Sequence, residues 1–338
     1  MRRLGVLTAI GLAVTITVPV LSTPAGALVQ RGYGYRSWLR GDPADVGVPV
    51  SSGAMLEGGA KDLRAAWSWF LQRAGYGDIV LICATCDNEY NSYVFSIHDV
   101  NSMQTLKITK RRASSDPFVV DSVAGADGIF FAGGDQSDYK RIWAGTPVDD
   151  AINRDIQRGV PIGGISAGLA ISGQFAFTAD KNTVTSAKAM SDCYGHKIQL
   201  MEGMVEYPSL RSMITDSHFT EQGRMGRLMT FMARILTDRR TSSVKGIGID
   251  AATAVLLDTD GIASVIGEGN ATFIRMRPAD VVTCAPGEPV STRVVRVDVI
   301  GDGGTFDTAS WSGDANPPLW AQISDGTLIY PAPVPTAA

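Results

Sequence analysis

The sequence predicts a three-layer α/β protein in which helices cover both faces of a mostly parallel sheet. Two observations support this fold class. Short apolar strands alternate with amphipathic helices along most of the chain, an order that is typical of parallel sheets. The 338 residues are also 45% hydrophobic, which is enough to bury a core on both sides of such a sheet.

The alternation is clearest in the first half of the chain. Apolar residues at helical spacing predict a helix over residues 63–71, and Gly75 is expected to end it. Thr146 and Pro147 predict the start of a second helix, because both residue types favour helix N-termini. The predicted strands of this half cover residues 79–82, 106–109, 128–131 and 161–165.

The pattern changes in the C-terminal half. From Gly246 onward the apolar segments are short, and the dipeptide Asp260-Gly261 is typical of a hairpin turn. We therefore expect the sheet to end in antiparallel strands, and we divide the chain into an α/β domain over residues 28–280 and a β extension over 281–338, with a weakly marked boundary. The predicted strands after Gly246 cover residues 247–249, 254–257, 263–266 and 272–276.

Residues 1–27 have the pattern of a secretory signal peptide. Two arginines precede an apolar run over residues 4–20, and Pro24 and several small residues follow it. The run is short for a membrane anchor and ends in proline and small residues, so we expect cleavage near Ala27. The protein is then secreted or periplasmic, with no membrane contact after cleavage.

Charge and composition limit the partners. The net charge is −4 and becomes −6 once the two arginines of the leader are removed, so nothing indicates a nucleic-acid partner. The cysteines are too scattered for a four-ligand zinc site, and we expect neither a metal nor another cofactor. The sequence leaves the oligomeric state open, a homo-oligomer included.

Export makes one or two disulfides plausible among the four cysteines. If the chain stayed extended from Cys83 to Cys86, their Cα atoms would lie about 10 Å apart, beyond disulfide reach. A local bridge therefore needs a turn at Ala84-Thr85. A thioredoxin-like redox role is the alternative, but such motifs open a helix, whereas residues 87–91 are expected to form a loop. We favour structural cysteines, and the pairing of Cys83, Cys86, Cys193 and Cys284 stays open.

A serine stands on the predicted turn between a strand and a helix. The segment is Gly163-Gly164-Ile165-Ser166-Ala167-Gly168. A serine on so tight a turn exposes its hydroxyl and has backbone N–H groups nearby that can bind an oxyanion. Ser166 is therefore the candidate nucleophile, and the N–H of Ala167 is a candidate oxyanion donor. A chance Gly-x-Ser-x-Gly among 37 glycines is the alternative.

A serine hydroxyl needs a neighbouring base, and the chain has three histidines. His218 follows a predicted strand over residues 213–215 and precedes a predicted helix over 224–236. This places it at the C-terminal edge of the sheet, where α/β proteins carry their chemistry and where Ser166 is also expected. His98 and His196 lie in segments typical of the surface. We therefore predict that His218 is the general base.

A second glycine turn, Ala132-Gly133-Gly134-Asp135-Gln136, directly follows the predicted strand 128–131. It belongs at the same edge of the sheet, so the N–H of Gly134 is the second candidate oxyanion donor. Asp135 and Gln136 are candidate substrate-binding residues. The alternative is a plain strand-to-helix turn that uses glycine for a positive φ.

Together these segments resemble the cyanophycinase and dipeptidase E family of serine peptidases, which have a class I glutamine amidotransferase-like, flavodoxin-like fold. The resemblance covers roughly residues 53 to 270 and includes the motifs 131–136, 163–168, 215–219, 224–228 and 246–250. It implies that Ser166 is the nucleophile and His218 the base. It also implies a substrate pocket shaped by Gln136, Asp216, Arg224 and Arg227.

The chain departs from the family pattern after the histidine. Cyanophycinases typically carry another arginine there, which helps to hold a substrate carboxylate, whereas this chain has Glu221-Gln222-Gly223. The departure argues against cyanophycin itself as the substrate. Arg224 and Arg227, at positions i and i+3 of one helical face, can still hold a carboxylate. A solvated or salt-bridged face is the alternative for these two arginines.

The resemblance also implies an acid, some way beyond the serine, that completes a catalytic triad. Asp180 is the nearest candidate and Asp192 the second. Asn182 offers a third possibility, because an amide can orient an imidazole without a charge.

The sequence thus predicts a secreted serine peptidase that cleaves a peptide or isopeptide bond next to an Asp-like residue through an acyl-enzyme. α-Peptides, β-aspartyl peptides and larger polymers all remain open as substrates. An α/β-hydrolase esterase is one alternative, since it also uses Gly-x-Ser-x-Gly. A non-catalytic secreted binding protein on the same scaffold is the other.

Overall fold

Residues 28–314 and 317–331 are described by the computed structural model, which has a mixed α/β architecture. Most of its strands form two large sheets, and helices pack against both. The predicted signal peptide, residues 1–27, lies outside the described residues, and its cleavage stays a prediction. Within the described ranges, none of the helices has the length and apolar character needed to span a membrane.

Two of the helices predicted from the sequence illustrate how local patterns shape the fold. Helix α1 carries the predicted apolar face, with Trp67 and Phe70 fully buried. Helix α5 begins at Pro147 as predicted, but the Thr146 hydroxyl donates to the Trp143 carbonyl instead of capping the helix. The α-helices of the described residues are α1 (Arg64–Arg73), α2 (Glu89–Ile97), α3 (Pro117–Ala124), α4 (Gln136–Ile142), α5 (Pro147–Gln157), α6 (Ala167–Ala170), α7 (Ser186–Ser191) and α8 (Met225–Thr237).

The strands are shorter and more numerous than the helices. In chain order they are β1 (Leu28–Gly32), β2 (Tyr35–Gly41), β3 (Ala54–Glu57), β4 (Asp78–Cys83), β5 (Ser102–Ile108), β6 (Gly128–Phe131), β7 (Ile162–Ile165), β8 (Phe175–Phe177), β9 (Leu200–Glu202), β10 (Met213–Asp216), β11 (Val244–Ile249), β12 (Thr253–Leu257), β13 (Ile262–Gly267), β14 (Ala271–Met276), β15 (Val281–Thr283), β16 (Ser291–Thr292), β17 (Val295–Ile300), β18 (Thr305–Asp307), β19 (Ser312–Gly313), β20 (Leu319–Ser324) and β21 (Thr327–Ile329).

The first sheet has the order β1-β2-β5-β4-β6-β7-β3-β12-β13-β18-β19. Its centre, from β5 to β3, is parallel, as the βαβ alternation predicted. Antiparallel strands flank this centre, with β2 on one side and β12 on the other. The α/β class is confirmed in this form, and the flavodoxin-like layering stays a prediction.

The second sheet has the order β21-β20-β17-β14-β11-β10-β8-β9, and its parallel part is β11-β10-β8. The sequence analysis expected one parallel sheet, and the structure differs because both edges of β7 are occupied by β6 and β3. Strand β10 instead packs on the short helix α6, where the Thr215 hydroxyl donates to the Leu169 carbonyl at 2.6 Å. Ser166 and His218 therefore come from different sheets.

The strands beyond residue 280 extend both sheets with antiparallel pairs. Strand β17 pairs with β14 in the second sheet, and β18 pairs with β13 in the first. Strands β15 and β16 form a separate small hairpin-like sheet. The proposed boundary between residues 28–280 and 281–338 stays a prediction, and residues 315–316 and 332–338 lie outside the described part.

All four cysteines form disulfides, Cys83 with Cys86 and Cys193 with Cys284. The Cα atoms of Cys83 and Cys86 are 5.8 Å apart, so the chain bends at the two residues between them, as such a bridge requires. The predicted loop over residues 87–91 is shorter than expected, because helix α2 already begins at Glu89.

Candidate active site

Ser166 lies on a sharp turn between β7 and α6. Its φ is 54°, an uncommon value for a residue with a side chain, and its N–H donates to the carbonyl of Glu57 on β3 at 3.0 Å. Gly168 makes the turn possible, because a Cβ there would overlap the carbonyl of Phe131 on β6. Helix α6 can therefore approach strand β6 closely. The serine hydroxyl faces a cleft lined by polar residues.

The imidazole of His218 meets this hydroxyl. The Oγ of Ser166 and the Nε2 of His218 are 3.1 Å apart, a hydrogen-bonding distance. The backbone N–H of His218 donates to the carbonyl of Gly58 at 2.9 Å. Gly59 packs directly on the imidazole and has a φ of 114°, so any side chain at this position would overlap the ring. The chain segment after β3 thus holds the histidine in front of the serine.

Burial lowers the pKa of His218 below its usual value of 6.5, and the positive charge of Arg224 lowers this pKa further. The negative charges of Glu221 and Asp216 raise it, but they do not compensate. The imidazole is therefore mostly neutral at pH 7, the form that can accept a proton.

The glycine turn after β6 lies on the other side of Ser166. Gly134 and Ala167 both line the cleft, and Gly134 has a φ of 149°. The hydroxyl of Tyr139 stabilises the turn, because it lies within hydrogen-bonding distance, 2.8 Å, of the carbonyl oxygens of both Ala132 and Gly133. The backbone segments of Gly134 and Ala167, which were predicted to donate to an oxyanion, therefore both lie beside the serine.

The cleft has a volume of about 550 Å³. Most of the predicted site residues meet there: Gly134, Asp135, Gln136, Ser166, Ala167, Asp180, His218, Arg224 and Arg227. Asp135 caps α4 by accepting the N–H of Ser137 at 2.8 Å, and Gln136 donates to the carbonyl of Phe177 at 3.3 Å. The individual roles of these residues stay predictions.

Asp216 lies below the cleft, where it binds both predicted arginines. Arg227 donates to the two carboxylate oxygens of Asp216, and its remaining Nη1 donates to Thr183 and Val184. Arg224 donates to the same carboxylate at 3.1 Å. The side chain of Arg227 is 3% exposed and that of Arg224 is 13% exposed. The salt-bridged alternative therefore describes both arginines, and Arg224 is the one nearer the cleft surface.

The predicted acid of the triad makes no hydrogen bond to the histidine in the described part of the chain. The carboxylate of Asp180 pairs with Lys140 of α4, and Asp192 accepts the N–H of Tyr194. The side-chain oxygen of Asn182 accepts the N–H of Thr183. Over residues 28–314 and 317–331, Ser166 is the one side chain that hydrogen-bonds the imidazole of His218. Pairing of Asp180 with His218 is therefore not seen, because a lysine forty positions away in the chain takes the carboxylate.

The sequence analysis missed the segment Glu57-Gly58-Gly59, which touches both Ser166 and His218. The sequence does contain a signal for this segment. A glycine pair follows the buried strand β3, and glycine pairs also occur in the motifs around Gly134 and Ser166. Three glycine-containing segments at the ends of neighbouring strands indicate backbone that must approach a ligand or a side chain closely.

An acidic cluster of Asp45, Asp78 and Asp127 lies elsewhere in the first sheet. Protein donors already bind each carboxylate: Gly47 binds Asp45, Asn101 binds Asp78, and the N–H of Asp78 binds Asp127. None of the three lines the cleft around Ser166. The cluster therefore gives no reason to place a metal ion in the candidate active site.

Comparisons with known proteins agree on one family. The profile of peptidase family S51 matches residues 83–265. A cyanophycinase from Synechococcus elongatus is 25% identical over 267 residues, which cover 75% of this chain and 78% of the relative. A cyanophycinase from a Nostoc species is 26% identical over 217 residues, with 63% of this chain and 67% of the relative covered. Among solved structures, a peptidase from an acI-B1 actinobacterium has a TM-score of 0.51 at 17% identity, covering 77% of this chain and 98% of that one.

Proposed function

Because the chain belongs to peptidase family S51, the cyanophycinase and peptidase E family of serine-type peptidases, we propose that it hydrolyses a peptide or isopeptide bond with Ser166 as the nucleophile. One observation carries the proposal: the Oγ of Ser166 lies 3.1 Å from the Nε2 of His218 at the floor of an open cleft. A hydroxyl in hydrogen-bond contact with a neutral imidazole has the base that it needs for attack.

The mechanism follows from these contacts. His218 takes the proton of Ser166 while the Oγ attacks the scissile carbonyl, and His218 then gives that proton to the leaving amine. The N–H groups of Gly134 and Ala167 bind the oxyanion of the tetrahedral intermediate. Water, deprotonated by the same imidazole, releases the acyl group from Ser166.

No carboxylate hydrogen-bonds His218 in the described part of the chain, so the proposed centre is a Ser-His pair. The carbonyl of Gly58 binds the backbone N–H of His218, and the packing of Gly59 limits where the imidazole can lie. A triad acid chiefly orients its histidine and stabilises the imidazolium. In the proposed Ser-His pair, the packing of Gly59 supplies part of the orientation that an acid would otherwise supply.

We also propose that the cleft accepts an acidic side chain next to the cleaved bond. Arg224 supplies a cation at the edge of the cleft, and Gln136 supplies an amide. The two cleft carboxylates are engaged elsewhere, because Asp180 pairs with Lys140 and Asp135 caps a helix. Arg227 contributes by fixing Asp216, which in turn positions Arg224.

A substrate panel tests this function directly. We expect the purified protein to cleave α- or β-aspartyl dipeptides faster than matched asparaginyl and lysyl dipeptides. Hydrolysis of a p-nitrophenyl ester is measured alongside, to test the alternative that the protein is an esterase. Ester hydrolysis without any cleavage of the aspartyl peptides would contradict the proposal.

The pH dependence of kcat/KM is expected to report the pKa of His218. Activity should rise with pH as the imidazole loses its proton, with a midpoint below 6.5, since burial and Arg224 lower this pKa. In Arg224→Gln the midpoint should move upward, because a nearby positive charge is removed. The exposed Arg211→Gln is the control and should leave the midpoint unchanged. A profile that Arg224→Gln does not move would exclude His218 as the titrating base.

We further propose that the protein is exported after cleavage near Ala27. Both disulfides support export, because such bonds persist in oxidising compartments. The intact mass of the protein recovered outside the cytoplasm checks this, and a chain that keeps residues 1–27 would contradict it.

A further inference from the structure

A buried carboxyl group lies directly behind the proposed catalytic pair. Glu57 ends β3, its side chain is fully buried, and the proposed mechanism does not use it. Carboxyl groups are rarely buried without a charged partner. Its position in the fold therefore needs an explanation.

The backbone around Glu57 connects the serine to the histidine. The carbonyl of Glu57 accepts the N–H of Ser166 at 3.0 Å, and the carbonyl of the next residue, Gly58, accepts the N–H of His218 at 2.9 Å. Gly59 then packs on the imidazole. Three consecutive residues thus set where the hydroxyl and the ring lie relative to each other.

The side chain of Glu57 closes the loop that follows. Its Oε1 accepts the N–H of Leu63 at 2.8 Å, immediately before helix α1 begins at Arg64. The loop over residues 58–63 is therefore tied at both ends to the same residue. Without this acceptor, the far end of the loop would lose a buried anchor.

The second oxygen of Glu57, Oε2, is buried and has no hydrogen-bond partner among the described residues. Burial raises the pKa of Glu57 well above its usual value of 4.5, and the charge of Asp62 raises this pKa further. The titratable groups coupled to Glu57 are Asp62 on the loop and Tyr90 and Tyr93 on α2, all acids. A protonated, neutral carboxyl group fits this environment.

We propose that Glu57 is a positioning residue that closes the 58–63 loop and thereby fixes the imidazole of His218 against Ser166. The inference rests on the proposed function, since it concerns the geometry of the same pair. The residue acts in its neutral form, as a hydrogen-bond acceptor for Leu63. An amide of the same shape can do this equally well, whereas an apolar side chain cannot.

The test measures the rate at which a fluorophosphonate probe labels Ser166, which depends on the hydroxyl and its base but on no peptide substrate. We expect Glu57→Leu to slow labelling and kcat by about 10- to 100-fold with little change in KM, because a displacement near 1 Å costs rates of that order. Glu57→Gln should label at the rate of the parent. The matched control is Asp155→Leu on α5, another buried carboxyl with an unpartnered oxygen, which should leave labelling unchanged.

The pH dependence of stability tests the neutral form of Glu57 independently of the labelling rate. In the parent, the pKa of Glu57 is higher in the folded than in the unfolded protein. The free energy of unfolding therefore falls as the pH rises from the unfolded pKa towards the folded pKa. Glu57→Gln should therefore raise the Tm relative to the parent at neutral and alkaline pH and not at acidic pH. This comparison needs no folded Glu57→Leu protein.

Either of two labelling results would overturn the inference: parental labelling by a folded Glu57→Leu, or equal loss of labelling in Glu57→Gln and Glu57→Leu. A Tm difference between parent and Glu57→Gln that does not change with pH would also overturn it. If the parent itself is not labelled while it is folded, the proposed function fails instead. The two failures are thus distinguishable.

Discussion

Replacing Ser166 with alanine is expected to lower kcat by about 10⁴-fold or more, because the covalent route to the acyl-enzyme is lost. His218→Gln should lose about as much, and the double variant should lose little more, since nucleophile and base act as a unit. Steady-state kinetics with the best substrate of the panel measures these losses. Circular dichroism should show that each variant keeps the secondary structure of the parent.

The control for this result is Ser191→Ala, which removes an exposed hydroxyl on α7 and should keep parental kcat. Peptidase activity retained by Ser166→Ala would disprove the proposed nucleophile. Additive losses in the double variant would show that Ser166 and His218 act separately. Their contact at 3.1 Å would then be a structural hydrogen bond alone.

Replacing Asp216 with alanine is expected to lower the free energy of unfolding by about 3–5 kcal/mol, because the charge of Arg227 would stay buried without its partner. Arg227 is 3% exposed and donates to both oxygens of Asp216. Solvent cannot reach the guanidinium to compensate. The midpoint of urea unfolding measures the change.

Asp180→Ala is the matched control, because it also breaks a carboxylate–cation pair. The side chains of Asp180 and Lys140 are 23% and 38% exposed, so this pair is expected to contribute less than about 1 kcal/mol. A loss as large as that of Asp216→Ala would contradict the distinction between the buried and the exposed pair. Asp180→Ala also tests the predicted triad, since a 10²-fold or greater loss of kcat would assign Asp180 a catalytic role despite its contact with Lys140.

Local sequence patterns were enough to predict several parts of the fold. The apolar spacing over residues 63–71 predicted α1, and the glycines around Ser166 predicted a tight strand-to-helix turn. Such features depend on φ/ψ preferences and on the period of a single element, which neighbouring residues determine. The same reasoning brought His218 to the end of a short strand, which is β10.

Pairings between distant segments could not be obtained in this way. The sequence analysis placed Ser166 and His218 at the edge of one sheet, but they extend from two sheets that meet at α6. It also left the partner of Asp180 unidentified, because Lys140 lies on helix α4, forty residues earlier in the chain. A charge finds its partner through burial and distance, and these depend on how whole elements pack.

The sequence by itself determined the candidate reactive groups and the backbone turns that present them: the serine between glycines, the histidine after a strand and the glycine pair after another. Only the tertiary structure decided that Asp216 is held by two arginines, that Asp180 binds Lys140 and that Glu57 lies behind Ser166 and His218. The physical reason is the distance along the chain between the residues that determine each property. Turn geometry follows from neighbours along the chain, whereas the environment of a charge is set by residues far away in sequence.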